Sequence, residues 1–144
     1  MSSATHKTLQ VGNVSVTGRV SEEGVVASFL GIPFAKIPER WRQATLIDAF
    51  EGAERADLDA TRYGPIVPQP PNPSLIGRPD LRASELDCLN LNVWAPASAV
   101  DTTAELPVIV WVHGGGYMWS HNSATAPTWS DARSSWAGPS SSSP

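Results

Sequence analysis

Cysteine, basic charge and long apolar runs are all scarce in this sequence, and each scarcity removes a class of protein. Cys88 is the only cysteine in 144 residues, so neither an intrachain disulfide nor a thiolate metal cluster can form. Its expected role is that of a small, half-buried hydrophobe. Ten Lys and Arg against fourteen Asp and Glu leave a net charge of -4 and a pI near 5.2, and the cations are scattered, so no basic face marks nucleic acid as a partner. No apolar run reaches the roughly 18 residues of a membrane span. The start, MSSATHKTLQ, has neither a basic n-region nor an apolar core, so no signal peptide is expected and the chain is assigned to the cytoplasm. The three histidines, His6, His113 and His121, lack partners at ligand spacing, so no metal is expected.

What is present is a globular composition, 41% hydrophobic and 17% charged, enriched in proline and serine. Residues 8–34 alternate apolar and polar positions, with breaks at Gly12-Asn13 and Glu23-Gly24. This period of two predicts a small antiparallel meander that stops at Gly31-Ile32-Pro33. Residues 35–62 carry a weaker pattern and predict turns or short surface helices. The proline-rich stretch 64–79 predicts a loop. CLNLNVWAP then alternates Leu89, Leu91 and Val93 against Asn90, Asn92 and Trp94, as a half-buried strand does, and ends at Pro96. LPVIVWVH is apolar at nearly every position, the signature of a strand covered on both faces in an α/β sheet. The linker between these two strands, ASAVDTTAE, is expected to be small, polar and exposed. After Ser120 no hydrophobic period survives, and residues 121–144 predict an irregular Ser/Pro-rich tail. Trp41, Trp94, Trp111 and Tyr117 are expected as core or interface residues.

The second of those strands empties into His113, Gly114, Gly115, Gly116 and Tyr117. Glycines there let the main chain take conformations closed to other residues and let a ligand approach its N–H groups. In acyl transfer such donors stabilise the oxyanion of the transition state by roughly 3–4 kcal/mol each. On the tetrapeptide HGGG alone, an ordinary glycine-rich turn and an oxyanion loop stand level. A phosphate loop is disfavoured because neither GxxxxGK[ST] nor GxGxxG follows.

Four ordered blocks decide between them: FLGIPFAKIPERW (29–41), DATRYGPIVPQ (59–69), SELDCLNLNVWAP (84–96) and LPVIVWVHGGGY (106–117). In content, order and spacing they resemble the type-B carboxylesterase/lipase family of the α/β-hydrolase fold, which also contains the cholinesterases. The resemblance implies an α/β fold, of which this chain is an N-terminal fragment, a short antiparallel meander leading into the central mixed sheet. It implies a small-molecule carboxylic ester as substrate and no cofactor. Gly115 and Gly116 match the pair whose N–H groups form the oxyanion hole, with Gly114 supporting the loop and Tyr117 beside an acyl pocket, where Trp119 is a second candidate. His113 matches the opening position of the motif, where it orients or packs beside the loop. Two departures stand out. Val67 occupies the place of a cysteine that in relatives pairs with the counterpart of Cys88, which fits a reduced compartment. The link from Pro38 to Trp41 is shorter than in relatives.

The remaining chemistry of such an enzyme is a serine on GxSxG, then an acid, then a histidine. No GxSxG occurs, and a triad of Ser140, Asp131 and His121 has neither the spacing nor the elements to support it. Residues 8–120 are therefore expected to be an incomplete N-terminal part of the domain, truncated before the nucleophile elbow and inactive alone. Serine codons TCN read two bases out of frame give NTC, which encodes Val, Ile, Leu or Phe, so a frameshift or a misread splice junction is expected between about Gly116 and Trp136. A non-catalytic esterase-like binding module or remnant is the alternative.

Overall fold

The computed structural model describes residues 5–47, 56–70, 81–103 and 105–121. The predicted meander forms as β1 (His6–Val11), β2 (Val14–Val20) and β3 (Val26–Pro33). β1 pairs antiparallel with β2 from His6 opposite Arg19 to Val11 opposite Val14. The two-residue connection puts Gly12 at φ 58, and a glycine at the first central position suits the hairpin twist. The second turn closes through Gly24 N–H to Ser21 O at 2.8 Å. Ser21 Oγ also accepts from the Val25 and Val26 amides, each at 3.3 Å.

β7 (Asn90–Pro96) adds antiparallel to β3, giving the order β1-β2-β3-β7. β3 ends at Pro33, within the Gly31-Ile32-Pro33 stop read from the sequence, but it passes Gly31 with an irregularity. Phe29 faces Val93 and Ile32 faces Leu91, so β3 carries one extra residue, a bulge, and runs on to Pro33. Gly31 sits in that bulge at φ 68, and its N–H donates to Asn92 Oδ1 at 2.8 Å. Leu30 N–H turns the other way and donates to Ala60 O at 2.7 Å.

Of the turns or short helical pieces expected over 35–62, the described residues hold turns and short strands but no helix. Asp48 to Arg55 lie outside the described residues. β4 (Ala35–Lys36) pairs with β5 (Thr45–Leu46), and β6 (Ala56–Asp59) runs parallel to β2 over Val14–Thr17. The cause is tertiary. β3 covers β2 only at Arg19 and Val20, which leaves the rest of that edge with open backbone groups that a passing segment satisfies. Ala60 completes the seam, donating to Thr17 O at 2.8 Å and accepting from Leu30.

The core gathers Val14, Val16, Ala27, Phe29, Ala60, Ala97 and Val100, with Leu9, Val20, Ile32 and Leu58 packed against it. Fully burying a side chain such as Phe29 contributes about 1.5–3 kcal/mol. Ala97 and Val100 overturn the expectation of an exposed linker, because Ala97 N–H donates to Val25 O at 2.8 Å and folds the turn back over the sheet. β7 is a strand as predicted, but its faces are reversed. Asn90 is 9% exposed while Leu91 and Val93 are 39% and 42%. The polar face is the buried one because Asn90 Nδ2 donates to Pro65 O at 2.8 Å and to Cys88 O at 3.2 Å.

Where β3, β7 and the 60s segment cross, the backbones touch. A Cβ on Gly31 would lie 2.6 Å from Gly64 N, and one on Gly64 would lie 2.5 Å from Asn90 Cγ. Pro65 and Ile66 leave this crossing in the loop predicted for 64–79, of which 71–79 lie outside the described residues. Ile66 is nevertheless buried, and bridges Ala83.

Two further expectations fail. Residues 106–113 are irregular and exposed, with Ile109 at 89%, rather than a covered central strand. Such a strand needs neighbours on both edges and layers on both faces, and the described residues supply neither. Trp41, Trp111 and Tyr117, placed in the core or at an interface by sequence, are all exposed. Trp41 stands at φ 68 in a tight turn closed by Arg42 N–H to Glu39 O at 3.2 Å. Arg40 in the same turn forms a two-pronged ion pair with Glu85, its Nε donating to Oε2 at 2.7 Å. Among the described residues no helix is long and apolar enough to cross a membrane.

Two outcomes are expected. Gly31→Ala adds overlap with Gly64 to the roughly 1–2 kcal/mol of left-handed strain, whereas Gly24→Ala, with open space around it, carries the strain alone. The urea midpoint should fall much further for the first, and equal midpoints would refute the crowding. Ile109→Lys should raise the fraction remaining soluble in a sedimentation assay, because it interrupts an exposed apolar run of high β-propensity; an unchanged pellet would count against that.

Candidate functional site

The glycine turn is built from its own backbone. Gly115 O accepts the N–H groups of Met118 and Trp119, both at 3.1 Å, and closes one tight loop. Gly115 has φ 135 and Gly116 φ 60. Only Gly115 is also sterically required, since a Cβ there would lie 1.8 Å from Trp119 O and 3.0 Å from Ser120 Cβ. Around Gly114 and Gly116 a Cβ would meet nothing within 4 Å, so the face of the turn carrying these backbones is open to an approaching group. Tyr117 at φ 60 and Ser120 at φ 90 hold conformations that cost side-chain-bearing residues energy.

His113 sits where the motif places it, exposed, with Nδ1–H donating to Gly114 O at 2.9 Å. Donation to a carbonyl fixes the proton on Nδ1, so the ring acts on the loop backbone. Tyr117 is fully exposed and Trp119 about half exposed. The structure thus brings Gly114, Gly115, Gly116 and His113 together in one turn, with the Tyr117 ring directed away from the body of the chain. His121 is buried. Asp131 and Ser140 lie outside the described residues.

One site residue is concealed in the sequence pattern. Gln69, the last residue of the DATRYGPIVPQ block, spans the gap to the end of the turn. Its Oε1 accepts from Ser120 N–H at 3.1 Å and its Nε2 donates to Ser120 O at 3.2 Å. A glutamine amid prolines reads as a solvated loop residue; the signal lies in its chemistry, one acceptor and two donors on a two-methylene arm.

Cys88 is half-buried, as expected, and burial pushes its thiol above the ordinary range. Asp59, held by the Thr61 hydroxyl at 2.7 Å and the Thr61 amide at 3.0 Å, is lowered. It lines a shallow depression of about 380 Å³ with His6, Thr17, Asp57, Leu58 and Thr61. None of these residues belongs to the glycine turn.

Comparison with known proteins adds three kinds of finding. A family model described as the carboxylesterase family matches residues 5–129. The para-nitrobenzyl esterase of Bacillus subtilis is 39% identical over 117 residues, covering 76% of this chain and 21% of that enzyme. Lipase 3 of Yarrowia lipolytica is 35% identical over 113 residues, 72% of this chain and 22% of the lipase. Among solved structures a thermophilic PNB esterase superimposes with a TM-score of 0.56 at 38% identity, covering 81% of this chain and 23% of that one. The structural neighbours are esterases of the α/β-hydrolase fold. This chain spans about a fifth of the length of the curated relatives it matches.

The turn's geometry generates a sharp contrast. Gly115→Ala should abolish the protection of the Met118 and Trp119 amides in hydrogen exchange, while Gly114→Ala, which meets open space, should leave both rates within about twofold of the original, a span of a few tenths of a kcal/mol. Equal behaviour of the two variants would show that the turn does not close on Gly115.

Proposed function

The chain belongs to the carboxylesterase family, and from that premise we propose that it supplies the N-terminal sheet and the oxyanion loop of a serine hydrolase acting on small carboxylic esters. The observation that carries this reading is the glycine turn. Gly115 and Gly116 take positive φ values, with open space beside Gly116; in the proposed role their successive N–H groups would donate to the oxygen of a tetrahedral intermediate. Preorganised donors of this kind act without reorganising during the reaction. Gly114 supports the turn, and His113 holds its first carbonyl. Tyr117 is a weaker proposal, for a substrate-facing ring.

Attack on the ester carbonyl requires a serine nucleophile, a general base and an acid that orients it. GxSxG is absent from these 144 residues, so this stretch alone holds the oxyanion and has nothing to generate it. Residues 8–120 act as part of a type-B domain, and 121–144 as an irregular tail that passes out of frame at a frameshift or misread splice junction between about Gly116 and Trp136. The missing GxSxG also motivates a second reading, a non-catalytic esterase-like binding module or remnant.

The experiment separates these readings. The purified chain should hydrolyse p-nitrophenyl acetate no faster than buffer; turnover blocked by a serine-directed phosphonate would overturn the assignment of inactivity. Grafted as residues 9–120 into the Bacillus subtilis esterase in place of the aligned stretch, the same sequence should support turnover. Gly116→Ala in that graft keeps the N–H but disfavours φ 60 and sets a methyl on the open face, so it should lower kcat by roughly tenfold, the scale of about 1–2 kcal/mol of left-handed strain that misaims the donor. An undiminished kcat would remove the oxyanion role.

A further inference from the structure

We propose that Gln69 is the positioning residue of the glycine turn, a side-chain amide that replaces a missing sheet neighbour and fixes where Gly115 and Gly116 point. This rests on the oxyanion reading for its meaning, although its geometry does not. A strand running into such a turn would ordinarily be held by ladders on its edges, but residues 105–112 are irregular and exposed. The Gln69 amide pairs with Ser120 as a strand residue would, accepting its N–H at 3.1 Å and donating to its C=O at 3.2 Å. Its second N–H lies 3.4 Å from Val67 O. The orientation of the amide is therefore determined, because the opposite flip would set its oxygen against two carbonyls.

Each end of this link is firm. On the sheet side, Asn90 holds Pro65 O at 2.8 Å, and Ile66 exchanges hydrogen bonds with Arg82 and Ser84 at 2.9 and 3.0 Å. At the loop end Ser120 keeps φ 90, a conformation that persists only where the surroundings enforce it. The Ser120 side chain and the Trp119 carbonyl are also the atoms that a Cβ on Gly115 would strike. Displacing Ser120 therefore displaces the wall against which the Gly115 turn is folded.

Side-chain chemistry separates the substitutions. Gln69→Met keeps the length and removes every hydrogen bond. Gln69→Glu keeps the acceptor for Ser120 N–H but turns the donor into an oxygen facing Ser120 O. In the full 144-residue chain labelled with nitrogen-15, Gln69→Met should shift the Gly115 and Gly116 amide signals. It should also speed exchange of the Ser120, Trp119 and Met118 amides by at least about tenfold, the loss of one net hydrogen bond. The β2 amides should exchange at their original rates. Gln69→Glu should preserve protection at Ser120 alone. Unmoved Gly115 and Gly116 signals in both variants would overturn the proposal. So would equal acceleration through β2 in both, because Gln69 would then hold the fold and not aim the turn. These readouts need no turnover: a graft without activity alongside intact coupling from Gln69 to Gly115 would remove the oxyanion reading and leave the clamp standing.

Discussion

The contact on which the remaining structure hangs is the near-touching of two backbones at Gly31 and Gly64, with the Asn90 amide laid against them. No side chain fits at either glycine, since the available spaces are 2.6 and 2.5 Å. That closeness has a purpose visible in the hydrogen bonds around it. The bulge at Gly31 turns Leu30 toward Ala60 and Gly31 toward Asn92, so a single extra residue stitches β3 to neighbours on both sides. Asn90 then captures Pro65 O, and the loop that follows leaves the sheet on a fixed heading. Gln69 and the glycine turn lie at the end of that heading.

A crossing of this kind inverts the usual division of a strand into apolar inside and polar outside. Burying an amide without partners costs a few kcal/mol, so Asn90 is tolerated under the 60s loop only because its donors are taken by two carbonyls. The apolar side of β7 is left half-exposed. The exposed run at 108–112 extends the same condition: apolar surface shaped for cover that the described residues do not provide. Both faces fit a chain that spans about a fifth of its relatives' length.

How much of this could be read from residues alone depended on whether the cause was local. The meander was legible because alternation and the Gly12 and Gly24 turns are local signals, and β7 was legible as a strand for the same reason. Its buried side was not, because pairing of Asn90 with Pro65 joins positions 25 apart. The stretch holding β6 read as turn or short helical pieces by composition, and an open edge on β2 made it a strand. Ala97 and Val100 looked like linker, and one hydrogen bond to Val25 folded them into the core. At the candidate site the glycines announced themselves by pattern. Gln69 stayed hidden because its partner is 51 residues away.

The same distinction between local and distant causes divides the glycine turn itself. Its shape is a local property, fixed by the bonds from Met118 and Trp119 to Gly115 O and by the space only glycine leaves. A turn of that shape can exist wherever the sequence is placed. Its direction is not local, because among the described residues those preceding it form no sheet ladder that would set its angle. Electrostatic stabilisation of a developing charge depends on donors held at hydrogen-bond distance before the charge appears, so shape without direction is worth little. The direction comes through Gln69 from the crossing at Gly31, Gly64 and Asn90, which makes a packing constraint deep in the sheet the remote origin of the geometry proposed for the oxyanion loop.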